Sequence, residues 1–258
     1  MAKKWAAFPH PDKAYVHDVA SLKKNWSRLH RGDCEPLPKD AGVLDAWRHF
    51  HAGAFDDAVD AGRKAGGGGI HAAVKAQMIY ANYLEKSEPA KLALLQEAAG
   101  WADERRGDAP KDANAHYLYA YSLGRYSQGI SITKALAQGF GGKIKDALTT
   151  ALKLEAKHAD AHTAFGSYQA EIIDKVGGIV AGMTYGAKKD SALEHFQKAL
   201  KLNPDSAIAR IEYANGLIMM FGKTRMAEAE KLYKEAAACT PADAMERLDV
   251  ELARSELE

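Results

Sequence analysis

Residues 190–207 read DSALEHFQKALKLNPDSA, and residues 145–161 carry a weaker echo, KDALTTALKLEAKHADA. Each stretch is an amphipathic helix, then a stop, then a fresh helix start. In the stronger copy Ala192, Phe196 and Ala199 return at intervals of four and three, which puts them on one helical face, and Pro204 ends the run. Working outward, three segments align as the helices beside these: ANAHYLYAYSLG from Ala113, ADAHTAFGSYQA from Ala159 and AIARIEYANGLI from Ala207. Each has a small residue at its eighth place (Ala120, Gly166, Ala214), where two helices can cross closely. Each is followed by a second helix, the last being AEAEKLYKEAAACTP. Self-similarity at a fixed period decides an architecture before any motif does, and it points to stacked helical hairpins.

The pattern resembles the tetratricopeptide (TPR) repeat, a pair of antiparallel helices stacked into a superhelix. The resemblance rests on Phe165 and Gly166, then Ala192, Phe196, Ala199 and Pro204. The next copy supplies Tyr213 and Ala214, then Ala229, Tyr233, Ala236 and Pro241. Gly53, Phe55 and Ala58 of AGAFDDAVDAGRKA match further upstream, while 70–110 matches loosely. Against a usual period of about 34 residues, the starts lie 46 and 48 apart. The excess falls between the paired helices, as RYSQGISITKALAQGFGGK (125–143) and EIIDKVGGIVAGMTYGAKK (171–189). Long insertions there, with the wording around TYGAKKDSALEHFQKALKLNPDS, are similar to bacterial proteins related to two groups. These are the T-component of TRAP-type transporters and the regulator-of-microtubule-dynamics proteins with their lipid-binding relatives. The first group implies a helical oligomer with apolar channels at an envelope location.

The expected fold is therefore all-α, a TPR-like solenoid with inserted apolar, glycine-containing helical segments. Its expected divisions are an N-terminal amphipathic helix and loop (1–40), a repeat domain (41–241) and a solvating C-terminal helix (242–258). The N-terminal helix is read over 12–33, with Tyr15, Val19, Leu22, Trp26 and Leu29 on one stripe and Gly32 as its stop. The apolar insert residues Ile172, Ile173, Val176, Ile179 and Val180 would leave an unusual exposed patch, so they are expected to be covered. Packing over the groove, pairing with another copy and lining a lipid-like cavity are the three ways to do so. Both inserts should be helical, because structureless loops of that length are uncommon inside compact domains.

Charge excludes one class of partner. Lys plus Arg (35) balances Asp plus Glu (34), so no overall field favours nucleic acid. No segment offers the roughly 18 continuous apolar residues of a membrane span, and the start lacks a signal-peptide core, which points to the cytoplasm. Cys34 and Cys239 are read as free thiols. The run GGGG at 66–69 and GFGGKI at 139–144 lack the strand and the Gly-Lys-Ser/Thr of a phosphate loop, and read as turns. Among ten histidines, His158 and His162 have zinc-like spacing, but His158 precedes the helix and His162 fills the slot of His116 in the previous repeat. A shared packing role accounts for that better than metal ligation. With no nucleophile elbow or paired metal carboxylates, no catalysis, cofactor or metal is expected.

TPR grooves are lined by the first helices of successive pairs. Projected through the alignment, the candidate binding residues are Asn114, Tyr117, Leu118 and Tyr121, then Thr163 and Ser167, then Ile208, Ile211, Asn215 and Met219. The wall is aromatic, aliphatic and lightly polar, which suits an amphipathic helix of a protein partner. Its alternative occupant is an apolar small molecule or lipid, carried or sensed in the concavity.

Overall fold

The computed structural model describes residues 5–258, and those residues form helices and connections with no strand. In chain order the helices are α1 (Val19–Leu29), α2 (Ala41–Ala52), α3 (Phe55–Ala65), α4 (Gly69–Tyr83), α5 (Glu88–Asp108), α6 (Ala113–Gln128), α7 (Ile132–Ala137) and α8 (Phe140–Leu154). They continue with α9 (Ala159–Val176), the short α10 (Gly178–Val180) running into one π turn (Ala181–Tyr185), α11 (Lys189–Leu202), α12 (Ala207–Phe221), α13 (Met226–Ala237) and α14 (Ala244–Ser255).

Short polar side chains set the helix starts. Asp18, Asp40 and Asp112 accept from the backbone N–H of Ser21, Val43 and Ala115, at 2.7, 2.9 and 3.3 Å. Ser206 and His158 cap α12 and α9 in the same way, accepting from Ala209 and Ala161 at 3.1 Å. Each cap satisfies a donor that the helix cannot satisfy itself. The cap at Asp18 corrects the first helix: residues 13–15 form a separate 3-10 turn and the α-helix begins only at Val19. Tyr15, Leu22, Trp26 and Leu29 are buried as the stripe predicts, whereas Val19 is exposed. Gly32 is not the stop either. The helix ends at His30, and a Cβ on Gly32 would lie 2.3 Å from the Asp160 carboxylate, so the glycine is there for close approach.

The chain divides into two compact units. Unit 1 takes the chain up to His30, Glu35–Ser131 and Ala242–Met245; unit 2 takes Arg31–Cys34, Ile132–Pro241 and Glu246–Glu258. In unit 1, α2 to α6 pack each on the next, around fully buried Trp47, Phe50, Met78 and Leu95. The glycine run makes the α3–α4 turn, with Gly66 and Gly67 at φ 64° and 51°. A Cβ on Gly62 would come within 2.4 Å of the Gly69 carbonyl oxygen, so these two helices touch backbone to backbone.

In unit 2, α9, α11, α12 and α13 pack around Ala170, Ala192, Phe196, Ala214, Leu217 and Ala229. Arg31–Cys34 lies on the start of α9, where Gly32 O accepts from Asp160 N at 3.0 Å. Both inserts are helical. The first contains α7, and Gly139 (φ 65°) then opens α8. The second extends α9 to Val176, turns at Gly177 (φ 78°) and passes through α10 and the π turn. Its apolar residues are covered only in part. Ile172, Ile173 and Val176 pack on the unit 2 core, but Ile179 and Val180 stay in solvent, because the turn at Gly177 carries them away from it.

Candidate binding surface

The first helices of unit 2, α9 and α12, are joined by a ring. Phe196 of α11 is fully buried between Gly166 and Gly216, and a Cβ on either glycine would fall 2.8 or 2.6 Å from its ring. Tyr213 stacks on the same ring at 5.0 Å. The two helices thus meet across this ring, and at this level neither contributes a side chain of its own. Ser167 donates to the Glu212 carboxylate at 2.8 Å, linking α9 to α12. Tyr233 donates to the Asn215 side-chain oxygen at 2.6 Å, fixing that amide from α13. Met219, one turn on from Asn215, is 38% exposed.

The remaining unit 2 candidates lie deeper. Ile211 is buried, and Ile208 packs beside it against a small cluster with Ala236, Val250 and Ala253. Thr163 is buried and donates back to the Ala159 carbonyl at 3.2 Å, a bond within its own helix. Of the unit 2 candidates, Ser167, Ile208, Asn215 and Met219 thus keep surface to offer.

In unit 1, Tyr117 and Tyr121 stack almost parallel, with centroids 5.9 Å apart, and the Arg125 guanidinium sits 5.6 Å over the Tyr121 ring. Asn82 donates to the Tyr121 hydroxyl at 3.3 Å. Tyr121 is half-buried; Tyr117 and Leu118 are buried. Asn114 is also buried and donates to Glu35 at 2.6 Å.

That bond belongs to a buried charge centre which the sequence pattern does not announce. His71 Nδ1 lies 2.9 Å from Glu35 Oε2, and its Nε2 lies 3.1 Å from Asp112. Arg105 pairs with Asp112 at 2.8 Å. Burial alone would push the imidazolium's pKa down, but Glu35 and Asp112 outweigh it and raise it to about 9. Asp112 moves the other way: burial would raise its pKa, while His71 and the Ala115 cap bring it to about 2. A second buried group joins His51 to Asp243 at 2.7 Å and to His30 at 3.3 Å. Burial lowers the His51 pKa to about 4 despite Asp243, so its neutral ring gives Nδ1–H to Asp243 and accepts from His30.

The zinc-like pair resolves into local bonding. His158 is the N-cap of α9. His162 bonds the Ala156 carbonyl at 3.2 Å, just as His116 bonds that of Pro110 at 3.0 Å, so the two repeats share this backbone bond. Among the described residues no group of three or more His, Cys, Asp or Glu side chains could hold a metal ion.

The model of the regulator of microtubule dynamics protein 1-3 family matches residues 71–257, well over half of the chain. The chain belongs to this family. The matched stretch opens at His71 itself and takes in both inserts, the Phe196 wedge and all ten candidate residues. Among solved structures, a thermophilic TPR protein of Thermus thermophilus is similar, with a TM-score of 0.57 at 15% identity, over 83% of this chain and 97% of that one. At that identity the likeness concerns the fold, which in this member of the regulator of microtubule dynamics family is the TPR-like helical repeat. No curated protein matches the sequence.

Proposed function

We propose that this chain is a non-catalytic TPR-like adaptor or scaffold, and that in unit 2 it holds a segment of a protein partner along α9 and α12. The TPR-like fold supports a role in protein interaction generally. The observation that carries the finer reading is the Phe196 wedge. It joins α9 to α12, and we read the bonded Ser167 and Glu212, the fixed Asn215 amide and the exposed Met219 thioether as one strip across them. A strip of that kind suits an amphipathic helix: the polar groups orient it and the adaptable methionine fills against it. The stacked Tyr117 and Tyr121 extend the same reading to unit 1. Both cysteines are thiols, donating to the Lys157 and Glu235 carbonyls, which suits a reducing, cytoplasmic setting.

A photo-crosslinking residue placed at Met219, with Lys198 as the control site, tests this in cells. Protein adducts at 219 and none at 198 support the adaptor reading. Lipid or other small-molecule mass at 219, seen by native mass spectrometry, would replace it by the apolar-carrier reading. Equal labelling at both sites defeats both.

A further inference from the structure

The second insert does something the adaptor reading leaves unused. Its tip displays Ile179, Val180 and Met183 at 81, 49 and 85% exposure. A mobile loop could expose such residues idly, but this tip is built. Gly177 and Gly186, at φ 78° and 67°, turn the chain at its two ends. Between them Ala181 is fully buried, and its carbonyl accepts from Ala187 N at 3.1 Å, which pins the base of the tip to the unit 2 core. The side chain of Gln169 then holds the exit, accepting from Lys188 N and donating to Ser191, both at 3.1 Å. Apolar side chains are thus held outward by a framework whose own apolar residues point inward.

The first insert lies against this tip. The Tyr185 ring packs on the α-carbon of Gly141, and the Lys145 ammonium group lies beside Gly186. The two segments 132–145 and 175–189 contain Lys134, Lys143, Lys145, Lys175, Lys188 and Lys189, with Asp146, Asp174 and Asp190 just outside them; Lys175 pairs with Glu171 and Lys189 donates to the Met220 carbonyl. Leu136 adds a further apolar side chain, 45% exposed. Protein-binding hot spots are marked by Trp, Tyr and Arg over roughly 800 Å² per partner. Here a small Ile-Val-Met tip carries lysines instead. Apolar residues that wedge into a headgroup layer, ringed by lysines that pair with anionic lipid, have this composition.

We propose that the tip at 177–186, with the adjoining segment 134–145, docks this chain on an anionic lipid surface. Exposed Ile179 and Met183 enter the interface, and the lysines supply a salt-sensitive attraction.

Sedimentation of the full chain with vesicles decides the matter. The chain should pellet with phosphatidylcholine vesicles containing phosphatidylglycerol, pellet far less with phosphatidylcholine alone, and be released by added salt. Ile179→Asp with Met183→Asp should lower the partition by at least about tenfold, with helicity unchanged by circular dichroism because both side chains are in solvent. Lys143→Gln, Lys145→Gln and Lys188→Gln should each cost up to about fivefold on anionic vesicles and nothing on neutral ones. Failure to pellet with anionic vesicles overturns the proposal, as does binding that neither set of variants changes. A wild-type dimer in sedimentation velocity that the aspartate variant dissociates would also overturn it, by showing that the tip covers a second copy.

Discussion

Where unit 2 brings α9, α11 and α12 together it sets a phenylalanine between two glycines; where unit 1 brings the loop after α1 to α4 and α6 it buries an imidazolium between two carboxylates. The first device works by shape. Removing two side chains opens a slot, and one ring fills it on both faces. The second works by charge, and in an awkward place. His71 lies in the first turn of α4, where the helix end already carries partial positive charge, so it stays protonated only because Glu35 and Asp112 overcome both burial and dipole. The difference teaches that hairpins of one family resemblance need not be joined by one kind of interaction, and that the two joints should fail in different ways.

The largest effect is expected at the shape joint. Phe196→Ala removes a fully buried ring that three helices share, and should cost about 3–5 kcal/mol of unfolding free energy by urea titration. Its cost should be the same at pH 6 and pH 8.5, since what meets the ring is the backbone of two glycines and the aromatic face of Tyr213. A strong pH dependence would erase the contrast with unit 1.

At the charge joint, His71→Leu leaves Glu35 buried without its cation and should cost about 3 kcal/mol near neutral pH. Here pH matters, with a definite sign. An unfolded imidazole titrates near 6.5 and the folded one near 9, so the folded state holds an extra proton between those values. The stabilisation is complete below about 6.5 and lost as pH rises through 9. His51 contributes with the opposite slope: its folded pKa of about 4 lies below the unfolded value, so stability falls as pH drops from 6.5 towards 4. Wild-type stability should therefore decline on both sides of about pH 6.5, and His71→Leu should flatten the alkaline limb alone. An alkaline limb that survives the substitution would assign it elsewhere.

The third expected effect is Gly166→Leu, at about 1–3 kcal/mol through overpacking. The clash is with a rigid aromatic ring and not with the free end of a flexible chain. Lys198→Leu, on the exposed side of α11, should stay within about 0.5 kcal/mol. Equal unfolding midpoints for the two would mean that the ring can move aside, and that the slot is less exacting than its geometry.

These two joints are not equally legible in the sequence. Gly166 and Phe196 stand at repeat positions, so a period and a small-residue slot are enough to place them at a crossing. Helical inserts follow as directly, from length and apolar content. Glu35, His71 and Asp112 share no period: they meet only because a loop and two helix starts converge, and residue spacing carries no trace of that. For the same reason Asn114 reads as groove lining in sequence, while in the structure its amide serves Glu35. The apolar stripe hides the Asp18 cap, because it runs through that position to Tyr15 without a break. The exposed tip illustrates a further limit. Periodicity names residues that can be buried together, but which of Ile173 and Ile179 is covered depends on the sense of a glycine turn.

The smallest effect compares the units at a slot they share. His116 and His162 each bond a carbonyl six residues upstream, and losing that bond by substitution with leucine should cost about 1 kcal/mol in either unit. Only His162 has a second histidine beside it: His195 Nδ1 lies 2.7 Å from its own Nδ1. Burial, and after it His162 and Lys198, lower the His195 pKa to about 4. His162→Leu removes the second of these causes while leaving the first, so His195 should titrate higher than in the parent but still below an ordinary imidazole. An NMR titration of the His195 ring protons reads this directly, and His116→Leu, at the same slot in the other unit, should leave that titration where it was. A His195 midpoint unmoved by His162→Leu would show that burial alone holds the ring neutral, and would make the two slots equivalent after all.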